Sequence, residues 1–231
     1  MPNRKDEFFQ GGYYHIYNRG AGKMNIFANE ENYLYMVRLI KKHAVKWKIG
    51  IVCYCLMPNH YHLLLWQGSE VPVSKFINAT FISYTQAFNN QQKRTGTLFE
   101  GRFKHRRVEK QEYLLHLMRY IHANPVVAGI VKKSEDWKFS DYSYWTDNSL
   151  TSRKVNLEEH SNSEVKSAIG KSLAGSFLDQ QDKETIEWHS KRIRYFRREL
   201  DLPTPDEYKM FVKDYQELKA EQKEFTKHLF D

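Results

Sequence analysis

"KIGIVCYCLMPNHYHLLLW", residues 48–66, holds two apolar runs separated by Pro58 and Asn59. Proline presets a φ that suits turns and asparagine tolerates turn conformations, so "MPNH" reads as a turn between two strands. The first run, 48–57, is continuous and bounded by turn signals, which predicts a buried strand; "YHLLLW" predicts its partner. Upstream, "YYHIYN" (13–18) reads as a strand and "EENYLYMVRLIKKHAVKW" (30–47) as an amphipathic helix. Downstream come a second helix over 73–92, a loop at "RTGTL", a basic strand over 102–108 and a third helix over 109–124. That helix is expected to stop at Asn124, because proline at 125 disfavours helical geometry in the residue before it.

The order β-α-β-β-α-β followed by a helix predicts an α+β fold of the ferredoxin-like type, an antiparallel sheet with helices on one face. "DWKFSDYSYW" (136–145) reads as a closing strap of aromatics and "TDNSLTSRK" as a polar linker. Beyond it, residues 155–231 show helical periodicity and high charge, broken at Pro203 and Pro205. The expected organisation is a domain over 1–148 and a helical C-terminal extension over 149–231.

Composition narrows the function. The 231 residues are 41% hydrophobic and 15% aromatic, too apolar for a disordered chain. No apolar run approaches the length of a membrane span, and the first residues lack the apolar core of a signal peptide, so a soluble cytoplasmic protein with no membrane partner is expected. The only cysteines, Cys53 and Cys55, fall on one face of a strand, where packing is the simpler reading than a metal site. Residues 1–148 carry 21 Lys and Arg against 12 Asp and Glu, a net of +9, whereas 149–231 carry 15 against 16. A positive excess confined to the first part favours a polyanionic partner, nucleic acid first and an anionic membrane second.

Strand alternation sends His60 and His62 to the same face and Tyr61 to the other. Two imidazoles so close suit one metal ion, although an isolated H-x-H is more often a turn cap and a surface residue. In the third helix His116, Tyr120 and Asn124 run at i, i+4 and i+8, a stripe set apart from the apolar face of Tyr113, Leu114, Leu117, Met118 and Ile121. A phenol thus sits one turn from an amide oxygen, and an amide oxygen with two imidazoles is an open coordination set for a divalent cation.

"MPNHYHLLL", then "FEGRFK", then "YIHANPVVAGIV" resemble the single-tyrosine HUH transposases, specifically the REP-associated tyrosine transposases, over residues 10–145. The resemblance implies that His60 and His62 bind a divalent metal, that Tyr120 attacks DNA and that Asn124 completes the coordination. It also implies a 5′-phosphotyrosine with a free 3′-hydroxyl on the departing strand. Tyr61 departs from the pattern, which expects a hydrophobe between the histidines. The metal expected is Mg²⁺ or Mn²⁺, and the partner expected is single-stranded or hairpin DNA, with monomer and homodimer both open.

Tyr84 in "FISYTQAFNN" competes for the role of nucleophile, but it falls in line with Ile77, Phe81 and Phe88, a core stripe. A phenol with a pKa near 10 is only about one part in a thousand ionised at pH 7, so its attack on a phosphate needs help from a bound cation. No G-x-x-x-x-G-K-[ST] loop is present, so no nucleotide hydrolysis is implied. "GRFKHRRVEK" supplies Arg102, Lys104, His105, Arg106, Arg107 and Lys110 just before the tyrosine helix, and Arg119 lies on that helix; all seven are candidate DNA contacts. A second basic run, "HSKRIRYFRRE" (189–199), reads equally as a DNA contact or as a helix that packs through Ile193 and Phe196. The expected function is a metal-dependent transposase or strand transferase. Its rivals are a replication or mobilisation nickase, a binding module without catalysis, and a hydrolase that uses water.

Overall fold

The computed structural model describes residues 8–151 and 183–228, the side chains of residues 151, 183 and 221–228 excepted. Four strands, β1 (Tyr13–Arg19), β2 (Ile49–Met57), β3 (His60–Gln67) and β4 (Lys104–Val108), form one antiparallel sheet in the order β2-β3-β1-β4. Helix α1 (Glu30–Trp47) joins β1 to β2, and α2 (Val73–Gln91) joins β3 to β4. This is the expected ferredoxin-like topology.

Local chemistry sets the elements. Asn29 caps α1 by accepting from the Asn32 N–H at 3.1 Å, Glu30 and Glu31 complement the dipole in the first turn, and Lys48 ends the helix in the left-handed region at φ 53°. The stripe Ile77, Phe81, Tyr84 and Phe88 on α2 is buried throughout, and Tyr61 of β3 stacks on Phe81 with ring centroids 4.1 Å apart. Tyr61 therefore packs as a hydrophobe would. Cys53 and Cys55 are buried thiols in β2, where the Cys55 thiol donates to Met57 Sδ at 3.6 Å.

Tyr61 and His62 are consecutive in β3 and so face opposite sides of the sheet. Tyr61 meets α2, whereas His62 meets Tyr120 of α3 (Gln111–Val127). Helices α1 and α2 share one face, as expected; α3 lies on the other. The apolar stripe Leu114, Leu117, Met118 and Ile121 is buried, while Tyr113, expected to join it, is exposed with the Arg106 guanidinium 5.3 Å from its ring centre.

The predicted stop of this helix at Asn124 is overturned, because α3 runs through Pro125 to Val127. Proline lacks an N–H and forgoes one bond to the preceding turn, a loss the helix tolerates when its end is otherwise well made. The end is made by Gly129 at φ 75°. Its N–H bonds the Val126 carbonyl at 2.9 Å, and the Ile130 N–H bonds the Pro125 carbonyl at 2.9 Å, the paired bonds of a glycine-terminated helix.

The chain divides into two compact units, Met1–Ile121 and His122–Asp231, a division within α3 and ahead of the compositional boundary at 148/149. The second unit contains α4 (Tyr142–Trp145), α5 (Asn148–Thr151), α6 (Lys183–Glu199) and α7 (Pro205–His228). The aromatic strap is core: Phe139, Tyr142, Tyr144 and Trp145 are buried. Part of the expected linker, Asn148–Thr151, is helical; its residues 152–154 and the helical periodicity read over 155–182 lie outside the described residues.

The buried carboxylate of Asp141 accepts from His122 Nε2 at 2.8 Å, from the Arg192 guanidinium at 2.7 Å and from Trp145 Nε1 at 3.2 Å. His122 Nδ1 lies 2.6 Å from the Tyr208 hydroxyl. In the second basic run Ile193 and Phe196 are buried, Arg192 serves Asp141, and Arg197 donates to the carbonyls of Trp145 and Pro203. Packing therefore accounts for much of that run. Helix α7 begins at a capping box: the Thr204 N–H donates to Glu207 at 2.9 Å, and the Glu207 N–H donates to the Thr204 hydroxyl at 3.3 Å.

Candidate active site

The two-residue turn at Pro58 and Asn59 starts β3 at His60, and alternation then sets His60 and His62 side by side with ring centroids 5.1 Å apart and planes nearly perpendicular. Burial lowers the pKa of His60; it lowers that of His62 further, reinforced by the neighbouring His15 and His60. Both are neutral imidazoles at neutral pH, the form that ligates a metal. Tyr120 projects from α3 with its ring 5.5 Å from that of His62, edge-on, and remains 38% exposed. The structure thus brings together three of the four residues read as the chemical centre.

Asn124 follows Tyr120 by one turn of α3 and belongs to the second compact unit. Its side-chain Nδ2 is buried without a hydrogen-bond partner among the described residues. The two ends of an amide are assigned by their neighbours, and an oxygen at that unpartnered position suits a cation. Among the described residues no three His, Cys, Asp or Glu side chains are grouped as a metal site requires.

His15 of β1 is a neighbour that reading along the chain missed. Its Nε2 lies 3.0 Å from His62 Nδ1, its ring centre is 4.9 Å from that of Tyr17 and 5.2 Å from that of His62, and it is 7% exposed. Burial, reinforced by Arg106, lowers its pKa to about 4. Strand β1 read as a strand from "YYHIYN", but only the β1–β3 register reveals which strand His15 faces.

Alternation also splits the basic run. Strand β4 pairs with β1 so that Lys104 sits opposite Tyr17 and Arg106 opposite His15, on the histidine face. His105 and Arg107 turn to the other face, where His105 lies against Phe8 and the Arg107 guanidinium sits 4.5 Å from the Phe9 ring centre. Arg102 and Lys110 are exposed just outside the strand, and Arg119 donates to His116 Nδ1 at 2.8 Å on α3. Tyr84 is buried and donates to the Ile26 carbonyl at 2.5 Å, with burial raising its pKa. It is a core residue, as its stripe predicted.

The ferredoxin-like sheet thus presents two neutral imidazoles and an accessible tyrosine on one face. The family described as Transposase IS200 like matches residues 8–124. The chain belongs to that family and is a DNA transposase. A Haemophilus influenzae protein named as a REP-associated tyrosine transposase is 26% identical over 160 residues, which span 62% of this chain and 86% of the relative. The fold is similar to that of a REP-associated tyrosine transposase solved bound to a REP hairpin, with a TM-score of 0.53 and 20% identity over 62% of this chain and 84% of the other. The family is generally metal-dependent. No helix among the described residues is long and apolar enough to cross a membrane.

Proposed function

We propose that this transposase cleaves and rejoins single-stranded or hairpin DNA through a 5′-phosphotyrosine formed on Tyr120. The observation that carries the reading is the contact of the Tyr120 ring with His62, on the sheet face that His60 and His62 share. The Tyr120 oxygen forms a bond to the phosphorus as the bond to the 3′-oxygen breaks. The phenol gives up its proton, and the departing strand leaves with a protonated 3′-hydroxyl. Because the diester bond is conserved in the adduct, rejoining by another 3′-hydroxyl needs no nucleotide.

His60, His62 and Asn124 would hold a divalent cation, Mg²⁺ or Mn²⁺. When bound, the cation polarises the scissile phosphate and offsets charge that develops on it. The neutral state of both imidazoles supports this role. Arg102, Lys104, Arg106, Lys110 and Arg119 supply positive charge for the DNA backbone, with Lys104 and Arg106 on the histidine face itself. Residues 1–148 carry this chemistry, and 149–231 act as a C-terminal extension. A cytoplasmic location, where DNA is at hand, accords with this work. The match to a hairpin-bound relative supports a hairpin substrate for this chain.

The test is incubation with labelled single-stranded hairpin oligonucleotides, followed by a denaturing gel. Wild type with Mg²⁺ or Mn²⁺ yields a covalent adduct, and excess EDTA abolishes it. Cleavage without any adduct, or an adduct retained in EDTA, overturns the reading.

A further inference from the structure

We infer that His15 and Asn59 are positioning residues that hold His62 and His60, respectively, in the tautomer that presents Nε2 to a metal. The inference rests on the metal reading proposed above and extends it to two residues outside the ligand set.

For His60 the hydrogen bonds fix the assignment. Its Nδ1 lies 2.7 Å from Asn59 Oδ1, and the Asn59 amide nitrogen donates to the Lys23 carbonyl at 3.3 Å. That second bond orients the amide so that its oxygen faces the imidazole. An oxygen can only accept, so the His60 proton sits on Nδ1 and the Nε2 lone pair is available.

For His62 the partner is another imidazole, 3.0 Å away between His15 Nε2 and His62 Nδ1. One nitrogen must donate and the other accept. If His15 donated, the proton of neutral His62 would be on Nε2 and its only lone pair would be spent on His15. If His62 donates from Nδ1, its Nε2 is free, and His15 carries its own proton on Nδ1. Only the second arrangement leaves both histidines of the pair with matching Nε2 lone pairs. Tyr17 stacks on His15 at 4.9 Å and limits its rotation. Outer partners of this kind fix ring orientation and raise ligand basicity.

The test uses the full-length chain without DNA. Mn²⁺ affinity is read from the loss of the free-ion electron paramagnetic resonance signal, and the His62 tautomer from ¹⁵N correlation spectra of metal-free wild type. Wild type shows His62 protonated at Nδ1. His15→Ala weakens Mn²⁺ binding by about 10- to 100-fold, the usual effect of removing an outer-shell partner. His15→Gln, whose amide oxygen can accept where Nε2 did, recovers most of the loss; a merely structural role would not predict that rescue. Asn59→Ala also weakens binding, while Asn59→Asp retains it. A wild-type His62 protonated at Nε2 overturns the inference, and this spectrum decides even where a His15 variant fails to fold. Mn²⁺ binding that is lost in His62→Ala but unchanged in His15→Ala overturns this inference alone. No Mn²⁺ binding by wild type overturns both it and the metal reading.

Discussion

The ring of Tyr120 meets that of His62 edge-on, with centroids 5.5 Å apart, across the gap between α3 and β3. Tyr84, by contrast, is sealed beneath α1 and spends its hydroxyl on the Ile26 carbonyl. Tyr120→Phe should keep its melting temperature and lose the DNA adduct, since only an exposed hydroxyl is removed. Tyr84→Phe should keep the adduct and lose roughly 1 kcal/mol, the worth of one buried hydrogen bond. Peptide mapping of the trapped adduct, with thermal denaturation of both variants, checks the pair; DNA on the peptide containing Tyr84 would reverse the assignment.

The split of the basic strand predicts unequal roles for neighbouring residues. Lys104→Ala and Arg106→Ala should each weaken single-stranded DNA binding and reduce the slope of log affinity against log salt by about 0.7, the counterion release of one phosphate contact. Arg107→Ala, on the opposite face against Phe9, should leave the slope in place. Fluorescence anisotropy over a salt series makes the comparison, and equal slope changes at 106 and 107 would count against it.

Asp141 is buried among His122, Arg192 and Trp145. Asp141→Ala removes the carboxylate and leaves the buried guanidinium without its counter-charge, so a loss of about 3–5 kcal/mol is expected. Urea denaturation reads it. A loss below about 1 kcal/mol, the scale of an exposed pair, would show that the charges are not held as described.

His43 on α1 gives a pH dependence that is independent of the site. Its Nδ1 lies 3.0 Å from the Thr80 hydroxyl, and its pKa is lowered by burial and by Lys42 and Lys46. As pH falls below the unfolded value near 6.5, the unfolded chain takes up a proton before the folded one does, so the His43 contribution favours folding at higher pH and is lost through the window down to its lower folded pKa. Stability measured by denaturant titration between pH 7.5 and 5.5 should fall less steeply in His43→Gln than in wild type. An unchanged slope would contradict the shift.

Much of this was legible in the chain order. The hairpin at 48–66 follows from local turn chemistry and apolar runs, and the alternation that pairs His60 with His62 and turns Tyr61 away is a property of any strand. The i, i+4 spacing of Tyr120 and Asn124 likewise needs only a helix. Those features are local, so the sequence alone determined them. Proline misled at 125 because its effect on the preceding residue is a bias, and the helix end was set four residues later by Gly129 and its bonds. Tertiary structure alone decided what depends on which strands and faces meet. The basic residues read as one group of DNA contacts, and only the β1–β4 register showed that Lys104 and Arg106 share the histidine face while His105 and Arg107 do not. His15 gained its place beside His62 through strand pairing across 47 residues, and α3 took the face opposite α2 through side-chain packing. No local pattern carries that information, because it resides in contacts between segments distant along the chain.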